Sequence, residues 1–385
     1  MREVVIVEGV RTPVGRRNGV LKDIRPDELA AFALKELVNR TGIDPAIIED
    51  VILGCVTQSG EQAGDIARVA ALIAGYPIEV PGTTIDRQCG SSQQAVHFAA
   101  QAILAGDMDV VVAGGVESMS RVPMGSNYMG AEEPFSPKLR DKYEMIHQGL
   151  SAERIAEKYG FTREELDRYS LESHKRAVRA QEEGYFDREI SPIEVTLPDG
   201  ATAVIKEDSG PRKDTSLEKL AALRTSFLED GVIHAGNSSQ ISDGAAAVLL
   251  MSREKAEELG LKPRFRVNTR VVVGDDPTMM LLGPIPATKK ALDKAGLSID
   301  DIDVFEVNEA FAPVPLAWLK ETGADPAKLN PNGGAIAIGH PLGGSGARLM
   351  VTMMHELERS GGRYGLQTMC EGHGMANATI IERLD

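Results

Sequence analysis

Cys89 stands in Asp86-Arg-Gln-Cys-Gly-Ser-Ser-Gln-Gln94, between a polar turn and a helical pattern whose apolar face is Ala95, Phe98, Ala99, Ala102 and Ile103. A thiol at a helix N-terminus meets unpaired N–H groups and the positive end of the dipole, which favour thiolate over thiol. This is a suitable place for a nucleophilic sulfur, although a lone cysteine also serves as a small buried hydrophobe. His340 lies in NPNGGAIAIGHPLGGSGARL, residues 330–349. A turn this rich in glycine brings backbone close to something, and an imidazole held in it is placed to act as a base toward a thiol. Cys370 follows the apolar run Leu366 to Met369 and opens the glycine turn CEGHGMAN. There it can exchange a proton with a substrate carbon or simply fill the core. Asn308, in VNEAFAPV, ends a strand and suits either an oxyanion or water site or a helix N-cap.

The elements that must position these residues alternate. Short β-branched runs at Val4–Val7, Val51–Leu53, Val110–Val112, Ala246–Met251, Phe265–Val273, Val304–Val307 and Ala378–Ile381 are separated by helical stretches, which predicts an α/β architecture. Between about 118 and 236 the chain turns polar, with strand signals nearly absent. The capping box Thr162-Arg-Glu-Glu165 starts a helix there, with Leu166, Tyr169, Ala177 and Ala180 on one face. This middle reads as an inserted, largely helical subdomain. The order turn, helix, glycine, strand, glycine-rich turn after Cys89 returns after Gly339, so the core reads as two similar halves packed face to face.

The 385 residues exceed one typical domain, and 57 acidic against 42 basic side chains leave a net charge of −15, which argues against a nucleic-acid surface. Three scattered cysteines, Cys55, Cys89 and Cys370, make no disulfide framework and point to a reducing, cytoplasmic setting. No run reaches the ~18 apolar residues of a membrane span, so no membrane insertion is expected. There is no phosphate-binding G-x-x-x-x-G-K-[ST] motif. Cys370-Glu-Gly-His373 lacks a partner pair at metal spacing, so no metal is expected.

DRQCGS, NEAFA, GGAIAIGHPLGGSG and the C-x-G turn, in that order along the whole chain, resemble the thiolase family of acetyl-CoA acyltransferases. The resemblance implies the thiolase fold: two related βαβ halves in a five-layered αβαβα core with an inserted, mainly helical loop domain. The halves would comprise 1–117 with 237–262, and 263–385, around an insert at 118–236 that binds coenzyme A. It implies that Cys89 is the acylated nucleophile, His340 its base and Cys370 the acid/base. His340 with a water on Asn308 would hold one thioester oxygen, and the N–H groups of Cys89 and Gly372 the other.

The implied activity is CoA-dependent cleavage of 3-ketoacyl-CoA to acetyl-CoA and a shortened acyl-CoA, with ping-pong kinetics. No permanently bound cofactor is implied; CoA and acyl-CoA are substrates. The implied CoA contacts are His147, Arg212 and Ser239, with Met280 and Phe311 as apolar lining. A homodimer or homotetramer is expected. Biosynthetic condensation to acetoacetyl-CoA uses the same residues. A decarboxylating ketosynthase would carry a second histidine where Cys370 stands, a papain-like hydrolase would place its asparagine after its histidine, and a non-catalytic acyl-CoA scaffold would not need the full set. His373 departs from the family's nearly all-glycine turn. The resemblance implies that Met119 to Gly130 and the loop up to His147 shape the acyl pocket, where the small residues Gly125-Ser-Asn127 leave room for more than an acetyl group, and the segment from Cys55 to Gly75 is similar to thiolases that act on bulky or steroid side-chain substrates.

Overall fold

The computed structural model describes residues 2–197 and 199–384. Its main sheet runs in the order Gly82–Ile85, Asp50–Gly54, Val110–Ser118, Ser242–Ser252, Val4–Arg11, then Phe265–Gly274, Met375–Arg383, Tyr364–Glu371 and Val304–Val307. The first five strands form one half-sheet and the last four another. Among the described residues, the strand pairs that join them are Val5 opposite Arg266 and Ile6 opposite Phe265. Asp50–Gly54 runs parallel to both of its neighbours and Val304–Val307 runs parallel to Tyr364–Glu371, while the remaining pairs of the sheet are antiparallel.

Hydrophobic clustering divides the molecule into layers. Helices Pro26–Thr41 and Ile66–Ile73 cover the outside of the first half-sheet through Leu29, Leu34, Leu37 and Ala70, packed on Val51, Leu53 and Val112. Pro284–Ala295 and Pro313–Thr322 cover the second, where Trp318 lies edge-on to Phe305. Between the two half-sheets lie helices Ser91–Ala105 and Ser345–Ser360, joined through Ala95, Ala99, Ile103, Met350, Met353 and Leu357. These five layers are the α/β thiolase architecture expected, and the repeated turn–helix–strand unit supplies the two central helices. A helix with a sheet on each side buries almost all of its surface, and burial of that apolar area is what holds the layers together.

Three local expectations differ from the structure. Phe98 points outward at 40 % exposed, while Val96 and Ala100 lie inside. The inserted segment leaves the sheet after Ser118 and returns at Ser242; besides the capped helix Arg163–Glu182 it contains a hairpin, Ile193–Thr196 with Thr202–Ile205. That hairpin buries Ile193 and Val195 against the first half's core and leaves alternate residues in solvent, a period-2 signal only four residues long on each side. Gly82–Ile85 is an edge strand of sequence Gly-Thr-Thr-Ile, too polar to stand out by composition.

Candidate active site

The two central helices begin beside each other. The Cys89 helix starts at Ser91 after Gly90, and the His340 helix starts at Ser345. Ser92 Oγ accepts from the Ala347 N–H at 2.8 Å, and the backbone at Gly346 crosses Gln93 so closely that a Cβ would meet its amide nitrogen. Gly343 has the same constraint, since its Cβ would lie 2.6 Å from Cys55 Cα. The glycines of the His340 turn thus let one half of the molecule dock its turn onto the other. Buried Glu117 fixes the junction, accepting from the N–H groups of Val56, Thr57 and Gly343 at 3.0, 3.0 and 2.8 Å and from Gln62 Nε2 at 2.8 Å.

His340 is held through both of its sides. Its backbone N–H donates to Gln240 O and Ser242 Oγ. Its Nδ1 lies 2.6 Å from Ser345 Oγ, which itself lies 2.8 Å from Pro341 O. A carbonyl only accepts, so the serine proton goes to Pro341 and the serine oxygen accepts from Nδ1–H. That places the lone pair on Nε2, which accepts from Asn308 Nδ2 at 3.5 Å. Burial, assisted by the Arg348 cation, lowers the His340 pKa to about 3, so the ring is neutral with its lone pair free at Nε2.

Asn308 caps no helix, because the next one is entered through Ala312. Its N–H donates to Thr368 O, continuing the parallel pairing, and its side chain donates to Cys370 Sγ at 3.9 Å. Cys370 is fully buried, and desolvation pushes its thiol up to about 12 against the opposing effect of the Asn308 contact. Burial also raises the Cys89 thiol, with Cys370 and Glu371 adding to the effect. This corrects the expectation of a resting thiolate: at 5 % exposure, desolvation outweighs the helix N-terminus.

Cys89, His340, Gly372, His147, Ser239, Met280 and Phe311 all line one cavity of about 570 Å³. Cys370 and Asn308 lie one step behind its wall, tied to it through His340. His147 caps helix Gln148–Tyr159 by accepting from the Gly149 N–H at 3.1 Å, and its ring stacks on Phe227, which meets Phe311 edge-on. The Ser239 N–H donates to Ala310 O, strapping that loop to the Asn308 turn. Arg212 lies apart, in an adjoining cleft with His174, Asp214 and Lys219; Gln240 lines both spaces. His373, at φ 65°, faces the cavity edge-on to Phe135.

Two buried thiols, a neutral imidazole and an amide around one apolar cavity match a known protein family. Residues 4–254 match "Thiolase, N-terminal domain" and residues 261–383 match "Thiolase, C-terminal domain". The chain belongs to the thiolase family. It is 53 % identical to a steroid 3-ketoacyl-CoA thiolase of Mycobacterium tuberculosis, covering 100 % of this chain and 95 % of that protein. It is 46 % identical to a 3-ketoacyl-CoA thiolase of Aliivibrio fischeri, covering both completely. Among solved structures, the acetyl-CoA acetyltransferase of Bacillus anthracis superposes with a TM-score of 0.92 at 42 % identity, over 100 % of this chain and 99 % of that one. The protein is therefore an acyltransferase of the thiolase family.

Sequence reading of this thiolase missed Ser345, Glu117 and Gln240. Ser345 carried a signal, as the residue five after His340 at the start of a helix. Glu117 and Gln240 carried none, because their partners come from distant parts of the chain.

Proposed function

We propose that the protein cleaves 3-ketoacyl-CoA with coenzyme A, and that its preferred acyl group is bulky and uncharged. The observation that carries the reading is the neutral His340, with its Nε2 lone pair fixed by Ser345 beside the cavity that exposes Cys89. In the proposed cycle the Cys89 sulfur attacks the 3-keto carbon and its proton passes to His340 Nε2. The bond between C2 and C3 breaks; the Cys370 thiol protonates C2 and acetyl-CoA departs. Incoming CoA gives its thiol proton to the Cys370 thiolate and attacks the acyl group, and His340 returns its proton to the departing Cys89. A high pKa suits Cys370 as the acid toward a carbanion. The oxyanions would rest on His340 with a water on Asn308, and on the N–H groups of Cys89 and Gly372. Biosynthetic condensation is the same cycle in reverse.

His147, Ser239, Met280 and Phe311 would line the pantetheine path, and Arg212, in the adjoining cleft, would meet the adenine end. The acyl end is walled by Met124, Tyr128, Phe135, Met145, Ile146 and His373. An acyl carboxylate entering this wall would lose water without gaining a lysine or arginine among the described lining residues. The steroid thiolase relative supports a bulky acyl group. A homo-oligomer in the cytoplasm completes the reading, consistent with Cys55, Cys89 and Cys370 all unpaired and with no described helix long and apolar enough to cross a membrane.

The test is intact mass and peptide mapping after brief exposure to acetyl-CoA, to a bulky apolar acyl-CoA and to an acyl-CoA ending in a carboxylate. The expected result is an acyl group on Cys89 from the first two and little from the third. Bound CoA with no adduct on Cys89 would overturn the nucleophile, and equal acylation by the carboxylated chain would overturn the specificity.

A further inference from the structure

Glu371 follows Cys370 on the same strand, so its side chain points to the opposite face of the sheet. That face meets the Cys89 turn. The carboxyl group fills the space that a Cβ on Gly90 would need, together with Asn377 Nδ2, which donates to Gly90 O at 3.1 Å. Glu371 is 0 % exposed, and neither of its oxygens has a hydrogen-bond partner. Asn377 Oδ1 and Arg87 Nε nearby are likewise without one. An unpartnered carboxyl buried between the nucleophile's turn and the strand of the second thiol carries a desolvation cost that good packing alone does not repay. The Cys89 cycle does not use this group.

We infer that Glu371 is a positioning residue whose protonation state sets the charge beneath the Cys89 turn, so that the ease of ionising Cys89 depends on whether this carboxyl holds its proton. The inference rests on Cys89 as the nucleophile. Every neighbouring element contributes to the balance. The turn before the Cys89 helix supplies Asp86, which opposes ionisation of Glu371, and Arg87, which favours it. The adjacent strand supplies the neutral Asn377, and the turn between the strands supplies His373, whose field reaches Asp86. Glu371's own strand adds Cys370. Burial is the largest influence and lifts Glu371 to about 8, close enough to neutrality for its charge to change over the working range of an enzyme. Once ionised, Glu371 raises both thiols. The proton on Glu371 therefore keeps Cys89 easier to activate, and its loss as pH rises holds the nucleophile back.

The experiment measures the rate of Cys89 alkylation by iodoacetamide against pH, read from the mass of the Cys89 peptide, in the wild-type protein and in Glu371→Gln. In the wild type, the logarithm of the rate should climb with a slope below one between about pH 7 and 9, as Glu371 ionises and pushes the thiol away. In Glu371→Gln the slope should return to one, with alkylation on the order of tenfold faster at about pH 9, the equivalent of one unit of thiol pKa. Superimposable profiles with unit slope would overturn the inference. If Glu371→Gln does not fold, the wild-type profile decides: a slope of one throughout refutes it and a break near pH 8 supports it. Acetyl-CoA labelling separates the two readings. An unlabelled Cys89 defeats the nucleophile assignment, whereas a labelled Cys89 with unchanged profiles defeats only the role of Glu371.

Discussion

Replacing Ser345 with alanine removes the hydroxyl that receives the Nδ1–H of His340. The ring stays buried, so this N–H must then go without an acceptor, at a cost of about 1–3 kcal/mol. The imidazole escapes the cost by carrying its proton on Nε2 instead. That tautomer cannot serve as the proposed base, because its lone pair then lies on Nδ1, at the position of the lost hydroxyl rather than on the Asn308 side of the ring. If the penalty falls wholly on the productive tautomer, acylation slows about 5- to 150-fold. The measurement is kcat/KM for acetoacetyl-CoA thiolysis, followed by loss of its enolate absorbance, with circular dichroism confirming the fold. The loss should be flat from about pH 6 to 8, since His340 titrates near 3 and stays neutral across that range. A folded variant with kcat/KM within about twofold of wild type, a barrier change below ~0.5 kcal/mol, would refute the tautomer argument. Activity regained with rising pH would also refute it, by showing that ionisation and not tautomer choice had been disturbed.

Cys370→Ala should still form acyl-Cys89 from acetyl-CoA yet lose carbon–carbon cleavage, because only the cleavage between C2 and C3 needs an acid at C2; equal losses in labelling and thiolysis would contradict that division. Stability should peak near pH 6.5. His97, His340 and His355, lowered to about 3, and His174, lowered to about 4, bind fewer protons folded than unfolded, so stability falls as pH drops below 6.5. Glu306 and Glu371, raised to about 8, bind more protons folded, so stability falls again as pH rises from 6.5 through 8. Urea unfolding across this range checks the peak, and a steady rise through pH 8 would contradict it.

The residues with chemistry were legible because each sits in a motif with its own spacing: Cys89 before a helix, His340 among glycines, Cys370 in a strand-end turn and Asn308 after a strand. The repeated unit likewise gave the two central helices. What was hidden depends on three dimensions. Burial decides the state of Cys89, and no local pattern reports how much solvent the folded layers remove. Phe98 fell on the wrong face because the buried arc of its helix runs from Ala95 through Ala99 and Ile103 to Val96 and Ala100, which lie across the helix from it. Arg212 seemed to belong with the cavity residues, but the turn at Gln240 divides the space. Glu117 looks like any strand-end carboxylate until Val56 and Thr57 arrive from one loop and Gly343 from another.

The close docking of the Gly343 and Gly346 turn on the first half has a consequence for biogenesis. Cys89 belongs to the first half of the chain, whereas His340, Asn308 and Cys370 belong to the second, which is synthesised after it. A nascent chain that has completed only its first half carries the sulfur but neither the proposed base nor the proposed acid. On the proposed roles, the sulfur meets its base and acid only when the two halves dock, so a half-folded chain is expected to take up no acyl group from acetyl-CoA.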